Sequence, residues 1–163
     1  MTVIVVMGVA GSGKTTVGTA LAETLGVEYA EADTFHPKAN IEKMSAGVPL
    51  NDEDRAPWLE AIAGWIRDHQ HGGVVTSSAL KRRYRDVLRS GGDVWFAHLD
   101  GDRETLAERM KTRRGHFMPV SLLDSQLADL EPLEPDEPGR VFDIGGTPEE
   151  ITQAALAAFR EHA

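Results

Sequence analysis

The sequence predicts an α/β fold with a mainly parallel sheet. Short β-rich runs alternate with segments of helical period, which is the pattern of strand–helix–strand units. The β-rich runs lie at residues 2–7, 27–32, 73–77, 93–99 and 140–144. The length of 163 residues and the hydrophobic content of 41% suit one soluble domain with one core. We therefore expect a single domain over residues 1–163.

The helices are predicted from apolar spacing and from their end signals. The first carries apolar residues at four-residue steps, and Gly26 follows as a C-terminal cap: Val17, Leu21 and Leu25. A second apolar stripe runs from Trp58 to Ile66. The last helix begins at a capping box that starts at Thr147 and has Pro148 at the first helical position. The acidic, proline-rich stretch 131–139 is expected to be a surface loop.

Composition excludes several classes of protein. Without cysteine, neither a disulfide framework nor a thiolate zinc site is possible. The apolar run at the N-terminus is too short and lacks the flanking signals of a secretory peptide, and no stretch is long enough to span a membrane. A formal charge of −9 disfavours a nucleic-acid partner. We expect a cytoplasmic protein.

The stretch GVAGSGKT at residues 8–15 follows the first strand and opens the first helix. Glycines in such a loop let backbone N–H groups point at phosphate oxygens, while the lysine reaches the β- and γ-phosphates and the threonine hydroxyl serves magnesium. A chance glycine-rich turn is the alternative. The pattern predicts an ATP-type nucleotide site, but leaves open whether water or a second substrate receives the phosphoryl group. The predicted nucleotide-binding residues are Gly8, Gly11, Ser12, Gly13, Lys14, Thr15 and Thr16.

Two carboxylates end the second predicted strand. Alternation along a strand places Glu31 and Asp33 on one side, at the carboxyl edge of the sheet where ligands collect. One could hold magnesium through water, and the other could accept the proton of an attacking hydroxyl. An ordinary solvated strand end is the alternative.

Three further segments, HPKANIEKMSAGVPLNDEDRAPWL, SSALKRRYRDVLR and GHFMPVSLLDSQLADLEPLEPDE, follow the phosphate loop in order. Together with the loop they resemble the gluconate kinase family over nearly the whole chain, to about Gly145. The resemblance implies ATP-dependent phosphorylation of D-gluconate to 6-phosphogluconate and magnesium dependence. It also implies a homodimer and a P-loop, nucleoside-monophosphate-kinase-like fold, whose five-stranded parallel sheet has helices on both faces and a small lid.

The resemblance also implies the site residues. It places Lys14 on ATP, Thr15 and Glu31 on magnesium and Asp33 as the base, although Glu31 stands where relatives usually carry aspartate. The implied substrate-binding residues are Asp33, His36, Arg55, Lys81, Arg85, His116 and Gln126. From the residues alone, His36 could be a surface turn histidine, and Arg55 could simply pair with a nearby aspartate. Lys81 and Arg85 stand four apart and could form a solvated basic helix face.

A lid is predicted over about residues 109–133. Arg109 and Arg113 lie four apart on a predicted helix, and kinases of this shape close such a segment over ATP to exclude water and neutralise the transferring group. Arg113 is therefore a catalytic candidate with Lys14 and Asp33. Solvated helix arginines are the alternative.

Two rival functions share the phosphate loop. A shikimate kinase would have a glycine-rich turn after the third strand, where this chain has Ser77-Ser78-Ala79-Leu80-Lys81. A nucleotide-dependent switch would leave the polar residues after the second and third strands without a role.

Overall fold

The fold is that of a five-stranded parallel sheet covered by helices. The computed structural model describes residues 2–9, 11–48, 50–112 and 120–162. The strands stand in the order β2-β3-β1-β4-β5, and each neighbouring pair is parallel. Their bounds are β1 Val3–Met7, β2 Glu28–Glu31, β3 Gly73–Thr76, β4 Val94–Asp100 and β5 Gly139–Asp143. The predicted α/β class and all five β-rich runs are confirmed.

Helices connect successive strands, as parallel pairing requires. In the described ranges they are α1 Lys14–Leu25, α2 Lys38–Ser45, α3 Asp52–Asp68, α4 Arg82–Arg89, α5 Arg103–Thr112, α6 Val120–Asp129 and α7 Pro148–His162. The predicted ends of two helices are confirmed. Gly26 caps α1 with a left-handed φ of 67°. Thr147 and Glu150 exchange hydrogen bonds at the start of α7.

The core lies in two layers, one on each face of the sheet. On one face Ile4 and Val6 pack in a cluster with residues of α1 and α7. On the other, Val3, Val5 and Met7 pack in a cluster with residues of α3 and α4. Because β1 is covered on both faces, all five of its residues are buried, which explains its unbroken apolar run. Burying each such side chain contributes about 1.5–3 kcal/mol.

Within the described ranges, no helix combines the length and apolarity needed to cross a bilayer.

The second strand ends earlier than the sequence predicts. β2 stops at Glu31, and a 3₁₀ helix spans Ala32–Phe35. Asp33 is therefore an exposed residue of a helical turn, and strand alternation with Glu31 is wrong as the reason for its position. The turn still begins at the carboxyl edge of the sheet, which is where the phosphate loop also begins.

Candidate active site

The phosphate loop joins β1 to α1 through backbone conformations that need glycine. Gly11 and Gly13 have φ values of 82° and 90°, in the left-handed region. A Cβ on Gly8 would stand 2.6 Å from the Leu99 carbonyl oxygen, so the loop could not pass β4 this closely with any other residue. The loop ends at the N-terminus of α1, where the helix dipole favours an anion.

Lys14 lies over this loop. Its ammonium donates to the carbonyl oxygens of Gly8 at 2.9 Å and Val9 at 3.1 Å. A cation held at the mouth of a glycine loop is placed to meet phosphate oxygens. Ser12 is buried within the loop, whereas Thr16 is exposed on the first turn of α1.

Thr15 connects the phosphate loop to β2. Its hydroxyl donates to Glu31 Oε1 at 2.8 Å, and the Tyr29 hydroxyl donates to the same oxygen at 3.0 Å. Burial is the main reason that the pKa of Tyr29 rises to about 12, so its phenol stays a donor. The pair therefore offers a hydroxyl and a carboxylate side by side, the oxygen ligands that magnesium accepts.

No cluster of three or more histidine or acidic side chains suited to a metal occurs in the described ranges. A magnesium ion that accompanies a nucleotide does not need one, because water and phosphate supply most of its ligands. The Thr15–Glu31 pair thus fits such an ion.

His36 follows the 3₁₀ turn and rests on an aromatic platform. Its ring stacks on Trp58 of α3, with centroids 4.2 Å apart and planes 13° apart. The buried Trp58 indole N–H donates to the Ala32 carbonyl at 2.7 Å, which fixes the platform to the turn that carries Asp33. The His36 Nδ1 lies 3.2 Å from the Asn40 side-chain nitrogen. This histidine is therefore held in place and is not a loose surface residue.

Burial lowers the pKa of His36, and Arg55 lowers it further, while Asp33 opposes the shift. Asp33 and Arg55 therefore both act on His36 through their charges.

Arg55 is oriented by Asp52 and by Tyr84, of which no sequence pattern indicates Tyr84. Its Nη1 donates to the Tyr84 hydroxyl at 3.0 Å, and that hydroxyl donates to Asp52 Oδ1 at 2.8 Å. Asp52 also pairs with Arg83 at 2.8 Å, and its direct contact with Arg55 is longer, at 3.9 Å. Hydrogen bonds from Tyr84 and Arg83 lower the pKa of Asp52, with Lys81 adding to the effect. The alternative that Arg55 pairs with a nearby aspartate is therefore met mainly through Tyr84, which links it to Asp52.

Lys81 and Arg85 do not share a helix face. Lys81 precedes α4 as an extended N-cap residue, whereas Arg85 lies within the helix. Among the described residues, the partly exposed Lys81 side chain has no hydrogen bond or ion pair, although it acts on Asp52 through its charge.

Arg85 requires a correction. It is fully buried, and its guanidinium donates to Glu137 and to the carbonyl oxygens of Ala79, Leu80 and Pro132. These contacts occupy all five N–H donors of the guanidinium. A substrate carboxylate would find no donor there, so the prediction that Arg85 faces the sugar acid is wrong in this structure. The stretch 131–139 lies mostly at the surface, as the sequence predicts, but the Glu137 side chain within it is fully buried.

The lid candidates are partly described. Arg109 lies on α5 and donates from Nη2 to the Ile144 carbonyl at 2.6 Å. Its Nη1 would lie 3.7 Å from a Cβ on Gly13, so the guanidinium stands beside the phosphate loop. Gln126 lies partly exposed on α6. Arg113 and His116 lie outside the described residues.

Known kinases resemble this chain over most of its length. A family model described as shikimate kinase matches residues 10–132. A gluconokinase of Gluconobacter oxydans (strain 621H) is 55% identical over 140 residues, covering 83% of this chain and 78% of that protein. The thermosensitive gluconokinase of Escherichia coli (strain K12) is 46% identical and covers 94% and 87%. The chain belongs to the gluconokinase family.

Solved structures place this gluconokinase-family chain among P-loop kinases. A gluconokinase from Sinorhizobium meliloti 1021 superposes with a TM-score of 0.92 at 47% identity, covering 99% of this chain and 93% of that one. A shikimate kinase from Aquifex aeolicus matches with a TM-score of 0.64 at only 17% identity, over 98% and 97% of the chains. The second likeness shows the shared fold alone.

Proposed function

We propose that this protein is a gluconokinase, which transfers the γ-phosphoryl group of ATP to D-gluconate and releases ADP and 6-phosphogluconate. The finding that supports the proposal is the similarity to gluconokinases, at 46–55% identity over most of the chain. Its structural counterpart is the hydrogen bond from Thr15 to Glu31 at 2.8 Å. It joins the phosphate loop to the strand that leads directly into Asp33 and His36. In the proposed function the donor and acceptor sites lie together at this edge of the sheet.

In the proposed reaction, a gluconate hydroxyl oxygen forms a bond to the γ-phosphorus while the bond from that phosphorus to the β,γ-bridging oxygen breaks. The Asp33 carboxylate accepts the hydroxyl proton, and ADP leaves with the bridging oxygen. Lys14 neutralises the β- and γ-phosphate oxygens, and the loop N–H groups orient them. Arg109 and Arg113 add positive charge from the lid.

Magnesium is proposed as the metal, held by Thr15 and by Glu31. When bound, it screens charge on the β- and γ-phosphates. Glu31 orients the Thr15 hydroxyl by accepting its hydrogen bond, and the Tyr29 hydroxyl fixes the carboxylate by donating to the same oxygen.

The acceptor wall consists of a neutral platform and cations. His36 on Trp58 offers a ring face and edge to a polyol, and Lys81 and Arg55 offer charge to its carboxylate. Gln126 and His116 are proposed to contact the same substrate. Because unpaired site cations disfavour a neutral sugar, charge selects gluconate over glucose.

We further propose that the segment 109–133 closes as a lid, that the protein acts in the cytoplasm and that it is a homodimer. The family resemblance supports these three points. Light scattering on the purified protein tests the last.

The function is tested by ADP release with gluconate, glucose and shikimate, each with and without ATP. We expect turnover with gluconate and catalytic efficiency lower by roughly tenfold to several thousandfold for glucose. Equal use of glucose, or a preference for shikimate, would refute the gluconokinase proposal while leaving the phosphate loop intact.

A further inference from the structure

The turn between β3 and α4 has a strained backbone. Ala79 has a φ of 44°, and it is the one non-glycine residue with positive φ in the described ranges. Residues with a Cβ avoid this region unless the surroundings enforce it, and such strain gathers at functional sites. Two residues later, Lys81 leaves the turn in an extended conformation at the N-terminus of α4. The shape of this turn therefore sets the direction in which the Lys81 side chain leaves the backbone.

Arg85 enforces that shape from within α4. Its Nη1 donates to the Ala79 carbonyl at 2.9 Å and to the Leu80 carbonyl at 3.3 Å. These are the two carbonyl groups that immediately precede Lys81. A planar guanidinium can bond both at once in a fixed geometry, which a lysine ammonium could not reproduce while also meeting a carboxylate.

Glu137 in turn fixes Arg85. Its Oε1 accepts from Arg85 Nε at 2.7 Å, and its Oε2 accepts from Arg85 Nη2 at 3.2 Å and from the Glu134 backbone N–H at 2.8 Å. Both side chains are fully buried. The segment after α6 also forms hydrogen bonds directly with the turn. The Glu131 N–H donates to the Leu80 carbonyl at 2.7 Å, and the Glu131 Oε1 accepts from the Arg82 N–H at 2.9 Å.

Stability alone does not explain a buried ion pair. Replacing such a pair by apolar residues of similar volume is often neutral or stabilising, because desolvation offsets the attraction between the charges. Holding the strained turn next to the partly exposed Lys81 would explain why this pair is charged, because a planar guanidinium can bond the carboxylate and the turn carbonyl groups together. The hydrogen bonds hold the residues immediately before and after Lys81, while the Lys81 side chain itself stays partly exposed.

We propose that Arg85 and Glu137 are positioning residues for Lys81: they hold the Ala79–Lys81 turn so that the lysine meets the carboxylate of the acceptor. The proposal rests on the proposed function. It assigns Arg85 a role that acts through another residue and requires no contact with substrate.

The test is the paired replacement Arg85→Met with Glu137→Leu, which removes both buried charges together. The matched control is Arg140→Met with Glu161→Leu, an exposed arginine–glutamate pair 3.7 Å apart on β5 and α7. We expect the buried swap to fold and to lower kcat/KM for gluconate by about 10- to 150-fold, the loss of one charge-assisted hydrogen bond. The KM for ATP should change less than about threefold, and the control should behave like the parent.

Two further arms separate positioning from a general structural effect. In a protein that already carries Lys81→Met, adding the swap should lower kcat/KM for gluconate by less than about a further threefold. The reason is that the residue through which the pair acts is already gone. Adding Ala79→Gly to the swap should restore part of the efficiency with gluconate, because glycine adopts positive φ without the Cβ clash. If the swap does not fold, the Arg85→Lys variant replaces it in the test. Lysine keeps the buried positive charge but lacks the planar guanidinium, so it should also lower kcat/KM for gluconate.

Two results would overturn the positioning role while leaving the gluconokinase proposal intact. One is a folded swap whose kcat/KM for gluconate equals that of the parent. The other is a combined variant in which the effects of the swap and of Lys81→Met on kcat/KM multiply. A parent that does not use gluconate would instead refute the proposed function. A crystal structure of the swap then decides the positioning role. Ala79 should leave the left-handed region, and an unchanged turn would overturn the proposal.

Discussion

Removing the charge of Arg85 alone should destabilise the protein far more than removing the whole ion pair. In an Arg85→Met variant the Glu137 carboxylate would stay buried and lose both of its bonds from Arg85. It would keep the Glu134 N–H at 2.8 Å and a longer ion pair with Arg82, whose Nε lies 3.5 Å away. Breaking a buried pair on one side typically costs about 3–5 kcal/mol, because a desolvated charge loses its partner.

The size of this effect can be expressed as a melting temperature. At about 2.1 cal/mol/K per residue, 163 residues give an unfolding entropy of about 0.34 kcal/mol/K near the midpoint. A loss of about 3–5 kcal/mol then lowers the Tm by roughly 9–15 °C. Differential scanning calorimetry at pH 7 measures it directly. The double variant Arg85→Met with Glu137→Leu serves as the comparison and should melt much closer to the parent.

A single variant that melts within about 3 °C of the parent would refute this reasoning. It would mean that the carboxylate reaches water or another partner, and that Arg85 could leave its carbonyl contacts at little cost. Arg85 would then regain its place as a candidate for direct contact with the substrate.

Four other results are expected. Lys14→Ala should abolish ADP release while the Tm stays near that of the parent, because only the cation at the phosphates is lost; near-parent turnover would contradict the phosphate-loop assignment. Asp33→Asn should lower kcat by about 10² or more with ATP affinity little changed, and the opposite split would make Asp33 a structural or metal residue. Lys81→Met should lower kcat/KM about 10- to 150-fold for gluconate but far less for glucose, and equal losses would refute charge selection. Burial lowers the pKa of His36 below 6.5, so the stability that neutral His36 contributes is present above pH 6.5 and lost as the pH falls. A His36→Phe variant should therefore lose less stability than the parent between pH 6.5 and 5, and equal losses would argue against a buried, neutral His36.

The parts of the fold that could be predicted depend on neighbours in the sequence. The unbroken apolar run of β1 indicates a strand covered on both faces, and its burial confirms that. The phosphate loop is likewise local, because its glycines, lysine and threonine act within eight consecutive positions of one strand–turn–helix unit. The caps at Gly26 and Thr147 are local as well.

The errors arise where a residue's position depends on contacts with residues far away in the sequence. The basic run after β3 contains Lys81 and Arg85 four residues apart, and nothing in its spacing says which one is buried. That is decided by Glu137, which lies 52 residues from Arg85. Tyr84 reaches Arg55 across 29 residues, so no periodicity could have identified it as the partner that orients the guanidinium. At Asp33 the error was the assumption that a strand continued through a 3₁₀ turn.

The three cations that the sequence predicts at the acceptor, Arg55, Lys81 and Arg85, differ in how far the protein already neutralises them. Arg85 is committed to Glu137, and Arg55 is linked through Tyr84 to Asp52, an acid that also pairs with Arg83. Of these three, Lys81 is the least compensated by the residues that the structure describes, because its charge acts on Asp52 without an ion pair or a hydrogen bond. A cation with an unmet charge gains most when an anion arrives and loses most when a neutral sugar takes its place. We therefore expect the discrimination between gluconate and glucose to depend chiefly on Lys81 and on the turn that orients it.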